Sequence, residues 1–219
     1  MKLNQRNKMT GQTLLAGLDD ESTKLVFLDP QYRAVLDKLK FGNEGARQKK
    51  RFALPQMSSE MISFFVDEAL RILRPSGHLM LWLDKFSIVE RAWAGWVAPQ
   101  VDRFQPVDMI SWRKHRIGMG RRSRNRTEFL LVLQKPPIRA KGCWTDHAID
   151  DCWIEDADPT RHPHAKPLQL TQRLIRATTK RDDLVVDPAA GGYGVLEACL
   201  ATGRRFVGCD VVDLDEAAT

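Results

Sequence analysis

The stretch from 184 to 210, "LVVDPAAGGYGVLEACLATGRRFVGCD", constrains the fold of this chain more than any other. An apolar run ends in an acid and a glycine-rich turn. A helix-forming stretch then leads to a second apolar run. Strand, turn, helix and strand in succession make a βαβ unit, whose strands lie parallel in one sheet. Gly191, Gly192 and Gly194 fall where the turn enters the helix, a place where glycine lets backbone approach a ligand and take positive φ. Asp187 ends the first strand, and Asp210 ends the next roughly twenty residues on, placed to accept hydrogen bonds from ribose hydroxyls. A glycine-rich turn alone is also just a tight turn; the second acid favours a nucleoside site.

The rest of the chain alternates in the same way. "KLVFLD" (24–29) and "HLMLWLD" (78–84) are continuous apolar runs of the kind that form buried parallel strands. Between them, "SSEMISFFVDEALRIL" (58–73) puts Ile62, Phe65, Ala69 and Ile72 at helical spacing behind two N-cap serines, with "RPSG" as its stop. A helix over roughly 86–97, strands near 107–112 and 128–134, and a helix over 168–179 follow. The pattern predicts an α/β doubly wound sheet. At 219 residues one domain, 1–219, is the expectation, with loop excursions at 33–57 and 113–163.

The net charge of +6 is concentrated in "ARQKKR" (46–51) and "WRKHRIGMGRRSRNR" (112–126). Such runs are often solvated faces. Two in one chain favour a polyanion, because clustered Lys and Arg neutralise phosphates and release counterions. No apolar run approaches the ~20 residues of a membrane span, and the start has no apolar core of a secretory signal. Cys143, Cys152, Cys199 and Cys209 show no C-x-x-C spacing, so reduced thiols in a cytoplasmic protein are expected. A metal site of Cys143, His147, Cys152 and His162 or His164 matches no standard zinc spacing. A Ser-His-Asp hydrolase has no support.

Three short motifs, in order along the chain, carry a resemblance: "DPQY" (29–32), "HPHAKP" (162–167) and "DPAAGGYG" (187–194). They resemble, respectively, the catalytic D-P-P-Y, the H-P-x-x-K-P segment and the cofactor motif D-P-x-x-G-x-G of the class I amino-methyltransferases of DNA. Catalytic motif first and cofactor motif last is the circularly permuted order of their β group. The match is imperfect: Gln31 replaces a proline, Tyr193 a glycine and His164 a threonine, and Gly11-Gln12 is the nearest counterpart to a Gly-Asp pair.

The resemblance implies a Rossmann-like class I methyltransferase fold and S-adenosylmethionine as cofactor. It implies a catalytic set of Asp29, Pro30, Gln31 and Tyr32, and cofactor contacts from Asp187, Pro188, Ala189, Gly191, Gly192, Gly194, Asp210, His162 and Lys166. An exocyclic amino nitrogen is a poor nucleophile, since its lone pair is delocalised into the ring. In the family, the acid side chain and the first proline's carbonyl accept its two hydrogens while the aromatic ring stacks on the base. The base must be flipped out of a duplex or already single-stranded. DNA, double- or single-stranded, is therefore the expected partner. Arg47, Lys49, Lys50, Arg51, Arg113, Lys114, Arg121, Arg122, Arg124 and Arg126 are the expected phosphate contacts.

An acid at position 29 goes with adenine N6 in this family. Cytosine N4, an RNA substrate and an inactive nucleic-acid-binding module of the same fold are the alternatives. A prokaryotic or phage source, a short target sequence and a homodimer supplying contacts that one chain lacks complete the expectation.

Overall fold

A computed structural model describes residues 1–30, 57–97, 103–118, 122–156, 158 and 165–211. Gln31, Tyr32, Arg47, Lys49, Lys50, Arg51, Arg121 and His162 lie outside them, as does most of the 33–57 excursion. The described elements are α1 (Gly11–Ala16), β1 (Thr23–Leu28), α2 (Ser59–Ile72), β2 (Leu73–Leu83), α3 (Lys85–Val89), α4 (Ala92–Val97), β3 (Gln105–Gly118), β4 (Asn125–Gln134), β5 (Cys152–Ile154), α5 (Leu168–Thr178), β6 (Leu184–Asp187), α6 (Gly194–Thr202) and β7 (Arg205–Gly208). None of these helices is long and apolar enough to cross a membrane.

The strands form one sheet in the order β5-β3-β4-β2-β1-β6-β7. β1 runs parallel to β2 and β6, β6 to β7, and β3 to β5. β4 alone is reversed, antiparallel to both β2 and β3. The sheet grows one way from β1 through β2 and the other way through β6 and β7, so the switch point lies between β1 and β6. In such open sheets ligands bind at the carboxyl ends of strands beside a switch point.

Side-chain alternation divides the core in two. One face carries Val26 and Leu28 of β1 and Leu79 and Leu81 of β2, packed under α1, α2 and α4 through Leu14, Ile62, Phe65 and Trp96. The other carries Leu25, Phe27, Met80, Trp82, Ile110, Trp112, Leu130 and Val185, under α5 and α6 through Leu170, Leu174, Ile175, Ala198 and Cys199. Successive residues of a strand point to opposite faces, so these two lists interleave.

Local chemistry sets the helix ends. Ser58 caps α2 by accepting from the Met61 amide, and Asp84 caps α3 by accepting from Ser87. α5 has no cap of its own. Glu155, just beyond β5, supplies the anion, its carboxylate accepting from the Gln169 and Leu170 amides and from Trp153 Nε1. The single helix expected near 86–97 is two short ones, broken at Arg91, whose φ is 57°.

The 113–163 excursion is corrected in part. β3 continues to Gly118 and β4 begins at Asn125, so Arg113, Lys114 and Arg126 lie on strands. The reason is pairing: Trp112 opposes Glu128 and Arg113 opposes Thr127, which extends the hairpin beyond its apolar core. Charge is accommodated there in two ways: Arg113 is exposed, while Lys114, on the other face, is half-buried and paired with Glu128.

Candidate active site

Each parallel strand ends at one edge of the sheet, and the reversed β4 begins there. The edge therefore collects Asp29 after β1, Lys114 of β3, Glu128 at the start of β4, Asp187 of β6 and Asp210 after β7. Parity sharpens the point. Asp29 lies two residues past Phe27, Lys114 two past Trp112, Glu128 two before Leu130 and Asp187 two past Val185, so all four continue the row facing α5 and α6. Val26 pairs with Val186, which sets Phe27 level with Asp187. With strands ~4.8 Å apart and a rise of ~3.3 Å per residue, Asp29 stands on the order of 8 Å from Asp187.

Asp29 is held by a lysine. Lys166 Nζ lies 3.0 Å from Asp29 Oδ1 and 2.7 Å from Glu128 Oε2, and 5.1 Å from the centroid of the Trp82 ring beneath. The other oxygen of Glu128 pairs with Lys114, whose ammonium also sits 4.2 Å from the Trp112 ring centroid. Two carboxylates and two ammonium groups thus alternate over a floor of two edge-to-face tryptophans. Burial pushes the Asp29 carboxyl above its ordinary range, against the pull of Lys166. Glu128 goes the other way: burial would raise it, but Lys166 and Lys114 together bring it down to about 2. Burial also disfavours a charged Lys166, yet Asp29 and Glu128 outweigh that and keep it protonated beyond the usual lysine range.

The glycine-rich turn is built as a cradle. Gly191 has φ 47°, and a Cβ added at Gly191 or Gly194 would meet nothing within 4 Å, so space lies open in front of the turn. Asp210 Oδ2 accepts from the Gly191 amide at 3.0 Å, tying the end of β7 to the turn. Asp187 Oδ1 accepts from the Ala189 amide, and burial, with Asp29 and Asp210 nearby, raises the Asp187 carboxyl to about 8. An open backbone turn flanked by two acids fits a nucleoside carrying a cationic group.

Tyr193, standing where the motif has glycine, adopts φ 56°, a left-handed conformation that costs a non-glycine residue of order 1 kcal/mol or more. Its ring points away from the open side, buried against Phe206. A Cβ at Gly11 would lie 2.6 Å from the Pro188 carbonyl oxygen, so α1 packs hard on the Asp187-Pro188 turn.

The structure brings Asp29, Pro30, Asp187, Pro188, Ala189, Gly191, Gly192, Gly194 and Asp210 to one edge. Two of the expected ligand contacts have protein partners as well. Lys166, expected at the cofactor, has its ammonium between Asp29 and Glu128. Lys114, expected on a phosphate, is a half-buried partner of Glu128. Arg113, Arg122 and Arg124 are exposed and Arg126 is half-buried, all around the outer end of the β3-β4 hairpin. His115 pairs with Asp156 at the surface. Sequence reasoning missed Glu128; the available signal was an acid at the head of an apolar strand directly after a basic run.

A doubly wound sheet with an open glycine turn at its switch point and a lysine-held acid on the adjoining strand defines a Rossmann-like, class I type of methyltransferase. Residues 23–213 match the model of the N6/N4 methyltransferase family, described as DNA methylase, and this chain belongs to that family. It is similar to the Type II methyltransferase M.HhaII of Haemophilus parahaemolyticus, 47% identical over 218 residues, or 98% of this chain and 93% of the relative. In fold it resembles the M1.HpyAVI-SAM complex, with a TM-score of 0.67 at 18% identity over 98% and 96% of the two chains. It also resembles the cytosine-N4-specific PvuII DNA methyltransferase, with a TM-score of 0.65 at 15% identity over 93% and 80%. The chain is a DNA methyltransferase.

Proposed function

We propose that this enzyme transfers a methyl group from S-adenosylmethionine to the N6 amino group of an adenine flipped out of DNA. One observation carries the reading: Asp29 and the glycine-rich turn stand side by side, at the carboxyl ends of paired strands on one face of the sheet.

S-adenosylmethionine supplies a methyl carbon activated by a sulfonium sulfur. Asp187, the backbone of Gly191, Gly192 and Gly194, and Asp210 are the residues that would hold it. Asp210 is tied through one oxygen to the Gly191 amide, which sets its carboxylate beside the turn where a ribose would sit. Asp29 and the Pro30 carbonyl accept the two amino hydrogens and free the nitrogen lone pair for attack. The side chain of Asp29 is 32% exposed, so part of it stays accessible to an arriving base. Gln31 and Tyr32 complete the motif, with Tyr32 stacking on the base, and His162 belongs to the cofactor side. Most of the acceleration comes from positioning and fixed charge.

DNA lies along the basic segments. Arg113, Arg122, Arg124 and Arg126, together with Arg47, Lys49, Lys50, Arg51 and Arg121, face its phosphates. An acid at position 29, where the cytosine enzymes of this family more often have serine, supports adenine. The similarity to a Type II methyltransferase of Haemophilus parahaemolyticus supports a methyltransferase role in a prokaryote; a short target site and a cytoplasmic location are part of the same proposal.

Incubation with labelled S-adenosylmethionine and unmethylated DNA, followed by hydrolysis to nucleosides, tests the reading. Label in N6-methyladenine is expected. Label in N4-methylcytosine would replace adenine with cytosine, label only with RNA would replace the substrate, and none would leave a binding module.

A further inference from the structure

We propose that Glu128 is a positioning residue for methyl transfer, holding the Lys166 ammonium between itself and Asp29 so that the acid's direction and charge are fixed before a base arrives. The inference rests on the reading of Asp29 as an acceptor of the amino hydrogens.

The geometry is that of a shared cation. Lys166 reaches Glu128 at 2.7 Å and Asp29 at 3.0 Å, so the shorter contact is with the acid that touches no substrate in this reading. Lysine is a flexible four-carbon chain that one carboxylate alone holds poorly. Glu128, anchored on a strand and clamped from its other side by Lys114, removes that freedom. Among the described residues, the titratable groups facing Asp29 are Lys166 from the segment before α5, Glu128 from β4, Lys114 from β3 and Asp187 from β6, the last with its carboxyl raised to about 8 by burial. The two lysines balance Asp29 and Glu128. Removing Glu128 would leave Asp29 facing both lysines; removing Lys166 would leave two carboxylates with one.

This arrangement predicts opposite effects from neutralising the two partners. Transfer needs ionised Asp29, so the rate falls as pH drops through the titration of that group. In Lys166→Met the adjoining opposite charge is removed, and the acidic limb of the pH-rate profile moves to higher pH by about one unit or more. In Glu128→Gln a like charge is removed and Lys166 serves Asp29 alone, so the limb moves to lower pH. The double variant returns towards the wild-type limb.

The experiment is single-turnover transfer of labelled methyl from S-adenosylmethionine to unmethylated duplex DNA, from about pH 5 to pH 9. Shifts in opposite directions, cancelled in the double variant, support the assignment. Lower rates at every pH with the limb unmoved would show that Glu128 only props the fold, and would overturn it. If Lys166→Met does not fold, the near-isosteric Glu128→Gln decides alone: a limb at lower pH supports the proposal and an unmoved one refutes it. Asp29→Ala separates the two levels, because full transfer by that variant would sink the reading of Asp29 itself. Loss of transfer there with unmoved limbs elsewhere would sink only the role of Glu128.

Discussion

The Tyr193 hydroxyl donates a 3.0 Å hydrogen bond to the Asn7 carbonyl, joining the glycine-rich turn to the N-terminal segment. The same carbonyl accepts from the Asp210 amide, and the Asn7 side chain donates to the Gly208 carbonyl. The turn is thus braced from behind by a segment nearly two hundred residues away in sequence. Tyr193→Phe keeps the buried ring and loses one hydrogen bond. Destabilisation of about 1 kcal/mol is expected, read as a lower urea midpoint with an unchanged slope. A much larger drop would mean that the hydroxyl holds the whole segment in place.

Asp29→Ala removes the side-chain acceptor and leaves the cradle around Gly191 untouched. Transfer should fall by about a hundredfold or more, while calorimetry shows S-adenosylmethionine binding with little change. A variant that binds poorly would move Asp29 from the chemistry to the cofactor.

His78 gives the fold an acid sensitivity separate from catalysis. It is buried in β2 beside Trp144, and burial lowers its pKa from 6.5 to about 4. A group whose folded pKa is depressed binds protons preferentially in the unfolded chain. Stability is therefore fully present above about pH 6.5 and declines as pH falls towards 4, by on the order of 3 kcal/mol. Denaturant titrations at the two ends of that window should show the decline, and His78→Leu should reduce it. An unchanged decline in the variant would assign the sensitivity to the carboxylates.

Arg122 and Arg124 are exposed at the outer end of the β3-β4 hairpin. Replacing both with alanine should weaken binding to all DNA sequences alike. It should also flatten the dependence of log affinity on log salt by up to about 2, near 0.9 for each phosphate that is no longer neutralised. An unchanged slope, measured by fluorescence anisotropy, would place the DNA elsewhere.

What the sequence made legible follows from how local each signal is. The βαβ unit around Asp187 and Asp210 could be read because glycine, acid and apolar run lie within one stretch and report on backbone geometry directly. β1, α2 and α5 were legible through periodicity. The ends of β3 and β4 were not, because Arg113, Lys114 and Arg126 look like loop residues until their strands are paired. Lys166 was placed with the cofactor by its position in a linear motif. Its actual neighbours, Asp29 and Glu128, come from strands that only sheet order brings together. Glu155 escaped for the same reason: nothing near it in sequence announces that it caps α5.

The reversal of β4 puts a limit on how this chain can change length. Glu128 reaches Lys166 because it lies two residues from the buried Leu130, on the same face. One residue inserted between them would turn the carboxylate to the opposite side of the sheet, and two would carry it roughly 7 Å outward. Insertions and deletions are thus tolerable at the hairpin's tip and not at its base. Length between β3 and β4 is free to vary from one enzyme to another, while the corner that holds Asp29 can vary only by substitution.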